Sequence, residues 1–185
     1  MRFLFRPFTR FLRDERGTVL VEAVLVLPFL MWGYVATFVY FDAFLTQTIN
    51  LKSAYTIADL ISRQVNVLKP ADIEGMKKVY DFLNKTKTTG ESGWIRVSDI
   101  YWDDTNKVYK VSWSYATDGQ PILTNQTINN YASRLPKLAI GDTEIVVETS
   151  LTYTPAFNVG ISPRTFSQFV VTRPRMAPDV KFSSS

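Results

Sequence analysis

Hydrophobic and polar positions follow a helical period in the N-terminal part of the chain and an alternating period in the C-terminal part. Between Gly17 and Phe41 the residues are almost all apolar, and Glu22 is the only charged side chain. An average stretch of this length carries about six charges. A helix from Thr18 to Phe41 is about 36 Å long, enough to cross a hydrocarbon core of about 30 Å. The pattern predicts a membrane-spanning helix over residues 18–45.

The helical period continues beyond this segment as an amphipathic extension. Polar residues occupy one face, and apolar residues recur on the other at spacings of three and four. The apolar set is Leu51, Ala54, Tyr55, Ala58, Ile61, Val65 and Leu68. We therefore expect one helix from Thr18 to Leu68, ended by Pro70, and a shorter second helix over 72–84.

Alternation from Trp94 onward predicts β-strands. The four candidate strands are 94–102, 108–116, 143–154 and 165–172. In the second of them, alternation places Tyr109, Val111, Trp113 and Tyr115 on one face. A short helix is expected over 124–135, and a flexible tail over 173–185. The predicted fold class is α+β, with the long N-terminal helix packed on a roughly four-stranded antiparallel sheet.

Composition and charge narrow the possible chemistry. The chain of 185 residues has no cysteine and no histidine, which excludes disulfides, thiol or histidine catalysis and histidine-based metal sites. The spacing of Glu144 and Glu148 on one strand does not suit a pair of catalytic carboxylates. We therefore expect no enzyme activity, no cofactor and no metal site. Of the net charge of +4, the first 17 residues carry +3, so the basic excess does not indicate nucleic-acid binding.

The charges beside the apolar segment predict its orientation. Five arginines precede it and Asp42 follows it, so the positive-inside rule places the N-terminus in the cytoplasm and the domain 46–172 outside. Three interpretations remain: a cleaved secretory signal, a plain anchor, and a specialised leader whose apolar helix is retained after cleavage. The segment is too long for a typical secretory signal. A plain anchor gives no reason for Glu22 beyond a position near the headgroups.

The boundary sequence RDERGTVLVEAVLVLP contains a basic leader, a glycine, and a glutamate at the fifth place after that glycine. This arrangement resembles the processing site of type IV pilins and pseudopilins. The wider string resembles more specifically the TadE and TadF pseudopilins of the tight-adherence (Flp-type) pilus system. Gly17, Val21, Glu22 and Pro28 carry the resemblance, which covers about 30 of the 185 residues.

The resemblance implies a function in pilus assembly. A prepilin peptidase would remove leader 1–17 by cutting between Gly17 and Thr18, and Glu22 would pair with the free amino terminus of a neighbouring subunit. Pro28 is expected to kink the helix. The implied partners are the peptidase, other pilins or pseudopilins, assembly platform proteins and a cytoplasmic ATPase. The implied location is the bacterial inner membrane, with a single pass and a periplasmic domain. Incorporation into the pilus would bring this domain to the cell surface.

Two alternatives to this function remain open at the level of the sequence. The first is an uncleaved, single-pass extracytoplasmic binding domain, for which the same helix is only a tether. The second is an anchored enzyme, which the missing histidine and cysteine disfavour.

Overall fold

The computed structural model describes residues 16–86 and 93–184. The helices are α1 (Arg16–Ser62), α2 (Pro70–Asn84) and a 3₁₀-helix (Ile128–Arg134). The strands are β1 (Gly93–Asp103), β2 (Val108–Ala116), β3 (Thr143–Tyr153) and β4 (Arg164–Thr172). These elements confirm the long N-terminal helix and the α+β class, whereas most of the predicted leader lies outside the described residues.

The chain divides into two compact units. The first combines α1 up to Asp42 with the loop Ala156–Ile161. The second contains the remainder of α1, α2 and the whole sheet.

The helix α1 ends earlier than the expected Leu68. Its final turn is closed by a short-range bond from the Gln64 amide to the Ile61 carbonyl. The Ser62 carbonyl accepts a hydrogen bond from the amide of Arg175, at 2.8 Å, instead of from a further helical turn. Pro70 was expected to end this helix but instead begins α2, where a proline costs nothing because the first helical amide has no partner.

The sheet is antiparallel throughout, in the order β2-β1-β3-β4, which confirms the predicted four strands. One face is covered by the second part of α1 and by α2, which contribute residues such as Ile57, Ile61 and Tyr80. The other face is covered by the segment between β2 and β3, through Leu123 and Ile128 among others. Because both faces are covered, β3 is buried along almost its whole length.

A β-bulge separates the aromatic residues that alternation had placed together. Asp99 pairs with Trp113 and Ile100 pairs with Val111, which leaves Ser112 as an extra residue in β2. An extra residue reverses the side-chain alternation beyond it. Trp113 and Tyr115 therefore pack on the helix side of the sheet, while Tyr109 and Val111 pack on the opposite side. The prediction of a single shared face was wrong.

The C-terminal segment is attached to the second unit instead of forming the expected frayed tail. Leu68 and Phe182 form a parallel bridge, with the Leu68 amide 2.8 Å from the Lys181 carbonyl. Phe182 stacks on Trp113 with ring centroids 4.9 Å apart, and Val180 is buried. Two prolines and a polar terminus indicated a loose end, but two apolar side chains within the segment reach the core.

The short helix expected over 124–135 is present only as the 3₁₀-helix Ile128–Arg134. The turn after β2 contains Asp118 and Gly119, both at positive φ, 56° and 65°. Glycine adopts this conformation without the penalty that a side chain brings.

Candidate functional site

The first part of α1 carries the residues on which the pilin resemblance depends. Gly17 and Thr18 lie in its first turn, and Glu22 follows Thr18 by four residues, or about 6 Å along the axis. Residues four apart share one face of a helix. The helix therefore places the new amino terminus expected after cleavage and the carboxylate on the same face.

The surface around Glu22 is apolar and exposed. Val21 is 60% exposed and Val26 is 44% exposed, and the other large apolar side chains between residues 19 and 32 are also exposed. Among the described residues, α1 is the one helix long and apolar enough to cross a membrane. Glu22 is exposed and forms no hydrogen bond or ion pair with any residue that the structure describes.

Pro28 lies inside α1, and the helix continues on both sides of it. The expected kink stays a prediction. Pro28 follows Glu22 by six residues, which is about 9 Å along the axis.

Further along α1, the loop Ala156–Ile161 covers part of the apolar surface. Val159 and Ile161 pack against Ala36 and Val39. Val39 is thereby reduced to 1% exposure, in contrast to the exposed residues that precede Val35. No sequence pattern indicates this contact, because nothing local to residues 156–161 identifies their partner.

A buried polar network joins α1 to the sheet at Asn50. Its Oδ1 accepts hydrogen bonds from the Tyr80 hydroxyl at 2.8 Å and from the Thr149 hydroxyl at 3.0 Å. Its Nδ2 donates to the Phe166 carbonyl at 2.9 Å. Asn50 is fully buried and lies four residues before Ala54, in line with the buried stripe of α1. Its position on this stripe is a sequence signal for a buried amide, which a search for apolar residues alone does not find.

A second buried polar group lies on the opposite face of the sheet. The Arg96 Nε donates to Glu148 Oε2 at 2.6 Å, and its Nη1 donates to the Pro121 carbonyl at 2.8 Å. Burial lowers the pKa of Arg96, but the hydrogen bond and charge of Glu148 outweigh that effect, so the pKa is raised. The ion pair borders a pocket of about 310 Å³ that Trp94 and Tyr131 also line.

A third buried group is Asp99, which is 2% exposed and stands at the bulge. Burial raises its pKa to about 7, and the nearby charge of Asp179 adds to this effect. Hydrogen bonds with Ser112 and Thr143 act in the opposite direction.

Within 16–86 and 93–184, no group of three or more acidic side chains is placed to hold a metal ion. No protein-family profile, curated protein or solved structure matches the chain.

Proposed function

We propose that this chain is a minor pilin-like or pseudopilin-like structural component in the assembly of a tight-adherence pilus. A prepilin peptidase cuts it between Gly17 and Thr18, and the mature helix is retained. The observation that carries this proposal is Glu22: an exposed carboxylate on an apolar helix surface, with no partner among the described residues.

The cost of an unpaired charge supports an intermolecular partner. A carboxylate at the centre of a membrane helix costs up to about 3 kcal/mol, and less near the headgroups. Cleavage after Gly17 creates an ammonium group on Thr18, about 6 Å along the helix axis from Glu22. Each mature chain would then present one positive and one negative group on one helix face. Pairing Glu22 of one subunit with the amino terminus of the next satisfies both charges and aligns the two helices.

The leader and the fold are compatible with this function. The arginines of the leader favour a cytoplasmic N-terminus, and α1 is long enough for a single pass of the inner membrane. A long helix whose second part packs on an antiparallel sheet is the layout that pilins and pseudopilins share. Because unrelated anchored domains can have the same layout, the boundary residues support the function more strongly than the fold does.

The second candidate is an uncleaved, membrane-anchored binding domain. The pocket beside Arg96 and Glu148 favours it, because Trp94 and Tyr131 combine apolar surface with charged groups in a concave site. In that case the first turn of α1 would have no processing function.

The amino terminus of the protein from its native membrane separates these candidates. We expect N-terminal sequencing and intact mass to show a chain that begins at Thr18 and lacks residues 1–17. The matched control is Gly17→Leu, which should keep the full-length mass because a side chain there obstructs the close approach of a peptidase to the backbone.

A full-length chain in cells with an active prepilin peptidase would overturn the proposed function and favour the anchored domain. Normal cleavage of Gly17→Leu would show that the cut lies elsewhere.

A further inference from the structure

The loop Ala156–Ile161, which connects β3 to β4, packs on α1 within the predicted membrane span 18–45. Val159 and Ile161, both 8% exposed, close over Ala36 and Val39. Irregular backbone therefore lies beside this part of the helix.

The irregular backbone of this loop limits how far along α1 the hydrocarbon core of the membrane can extend. Unpaired amide and carbonyl groups are excluded from lipid-exposed positions in hydrocarbon, where no water can bind them. The core must then end near Val35. The length from Thr18 to Val35 is about 26 Å at the helical rise, close to the thickness of about 30 Å of a typical hydrocarbon core.

Aromatic residues support the same boundary. Trp32 is 60% exposed and Tyr34 is 74% exposed, immediately before Val35 and Ala36, the first residues of α1 against which the loop packs. Tryptophan and tyrosine are enriched where a helix leaves the hydrocarbon and enters the headgroup region. In the loop, the Phe157 side chain is 53% exposed, although Val159, two residues later, is buried.

We propose that Ala156–Ile161 is a membrane-contact loop. The loop binds a lipid surface, and Phe157 lies in the headgroup region of the leaflet from which α1 emerges. The part of α1 inside the hydrocarbon then covers residues 18–35 instead of 18–45. The inference requires that α1 crosses a membrane, and it holds whether or not the leader is cleaved.

The absence of cysteine from the sequence makes a single-label experiment possible. Phe157→Cys in the full chain is labelled with an environment-sensitive nitrobenzoxadiazole dye and reconstituted in phosphatidylcholine vesicles. Ala156→Cys provides a second loop position with a small, exposed side chain. Leu25→Cys, 61% exposed within the span, and Ile140→Cys, 75% exposed in the second unit, are the controls.

Quenching by nitroxide lipids reports the depth of each dye. We expect dyes at 156 and 157 to lose fluorescence mainly to headgroup nitroxides, and the dye at 25 mainly to acyl-chain nitroxides. The dye at 140 should lose fluorescence to neither.

Three results would overturn the proposal. If 156 and 157 behave like 140 while 25 is quenched by acyl-chain nitroxides, α1 is an anchor but the loop is in water. Stronger quenching of 157 by acyl-chain than by headgroup nitroxides would place the core beyond Val35. If the dye at 25, like the dye at 140, is quenched by neither nitroxide lipid, α1 does not span the vesicle membrane. That result would also count against the proposed function.

Discussion

The carboxyl group of Asp99 is buried at the bulge between β1 and β2. Its Oδ1 atom has no hydrogen-bond partner among the described residues. Burial penalises the charged form of the group and raises its pKa to about 7. Asp179, in the C-terminal segment, adds a like charge. The side chain is therefore more stable protonated in the native state than in the unfolded chain, where its pKa is about 3.9.

This difference predicts a pH dependence of stability. Between pH about 4 and pH about 7 the native state keeps a proton that the unfolded chain has lost. The contribution of the protonated Asp99 side chain to the free energy of unfolding is therefore fully present below that window. It is lost as pH rises through it, at up to about 1.4 kcal/mol per pH unit. Melting temperatures of the protein and of Asp99→Asn in detergent micelles, over this pH range, measure the contribution.

We expect Asp99→Asn to lose this part of the pH dependence. The control is Asp104→Asn, which removes a carboxylate from an exposed ion pair with Lys107 and should keep it. The same pH profile in the wild type and in Asp99→Asn would contradict the assignment to Asp99.

At the scale of elements, α1 is attached to the sheet by an apolar stripe and by the Asn50 network. The stripe positions the helix only approximately, since apolar contacts are not directional. The three hydrogen bonds of Asn50 connect α1 to α2, β3 and β4. One amide therefore specifies the axial position of the helix relative to three other elements.

Asn50→Ala removes all three hydrogen bonds. It leaves the Thr149 hydroxyl and the Phe166 carbonyl without these buried partners, so we expect the free energy of unfolding to fall by about 2–3 kcal/mol. Chemical denaturation in micelles, followed by near-ultraviolet circular dichroism, measures the change.

The control for this variant is Thr56→Ala, which removes an exposed hydroxyl that donates a hydrogen bond to the Lys52 carbonyl of its own helix. Its effect should stay below about 0.5 kcal/mol. Equal stabilities for Asn50→Ala and Thr56→Ala would mean that the network contributes nothing to the attachment of α1.

At the scale of the whole molecule, the proposed function connects the chain to other subunits through the exposed end of α1. Removal of the carboxylate in Glu22→Ala leaves an apolar helix that still inserts. It also leaves the cleavage site unchanged, so processing should be largely normal. In the proposed pairing, the variant lacks the carboxylate that binds the ammonium group of the neighbouring subunit.

We therefore expect Glu22→Ala to reduce incorporation into the pilus assembly by at least about tenfold, since removing one member of a desolvated ion pair costs several kcal/mol. Co-purification of the mature chain with sheared pili, relative to its amount in membranes, measures this. Val21→Ala, which shortens an exposed apolar side chain beside Glu22, is the matched control and should incorporate normally. Unchanged incorporation of Glu22→Ala would contradict the proposed charge pairing of Glu22.

The relative positions of the residues in the candidate assembly site could be read from the sequence, and the structure places them all in α1. Their function in processing and assembly stays a prediction, whereas the contacts inside the domain could not be read from the sequence at all. Gly17, Thr18 and Glu22 are defined by their spacing along one helix, which a reader of the sequence can measure directly. The Arg96–Glu148 pair could not be found in this way, because 52 positions separate its members and only the β1–β3 register brings them together.

The sequence by itself determined the long apolar helix, the amphipathic extension and the four antiparallel strands. Each depends on a local period, and a period of 3.6 or 2 is visible without knowledge of any distant contact. The tertiary structure alone decided the bulge at Ser112, the attachment of the C-terminal segment and the loop against Ala36 and Val39. These features depend on which distant residues fill the remaining space, because a side chain's partner across the fold leaves no periodic signal in its own neighbourhood.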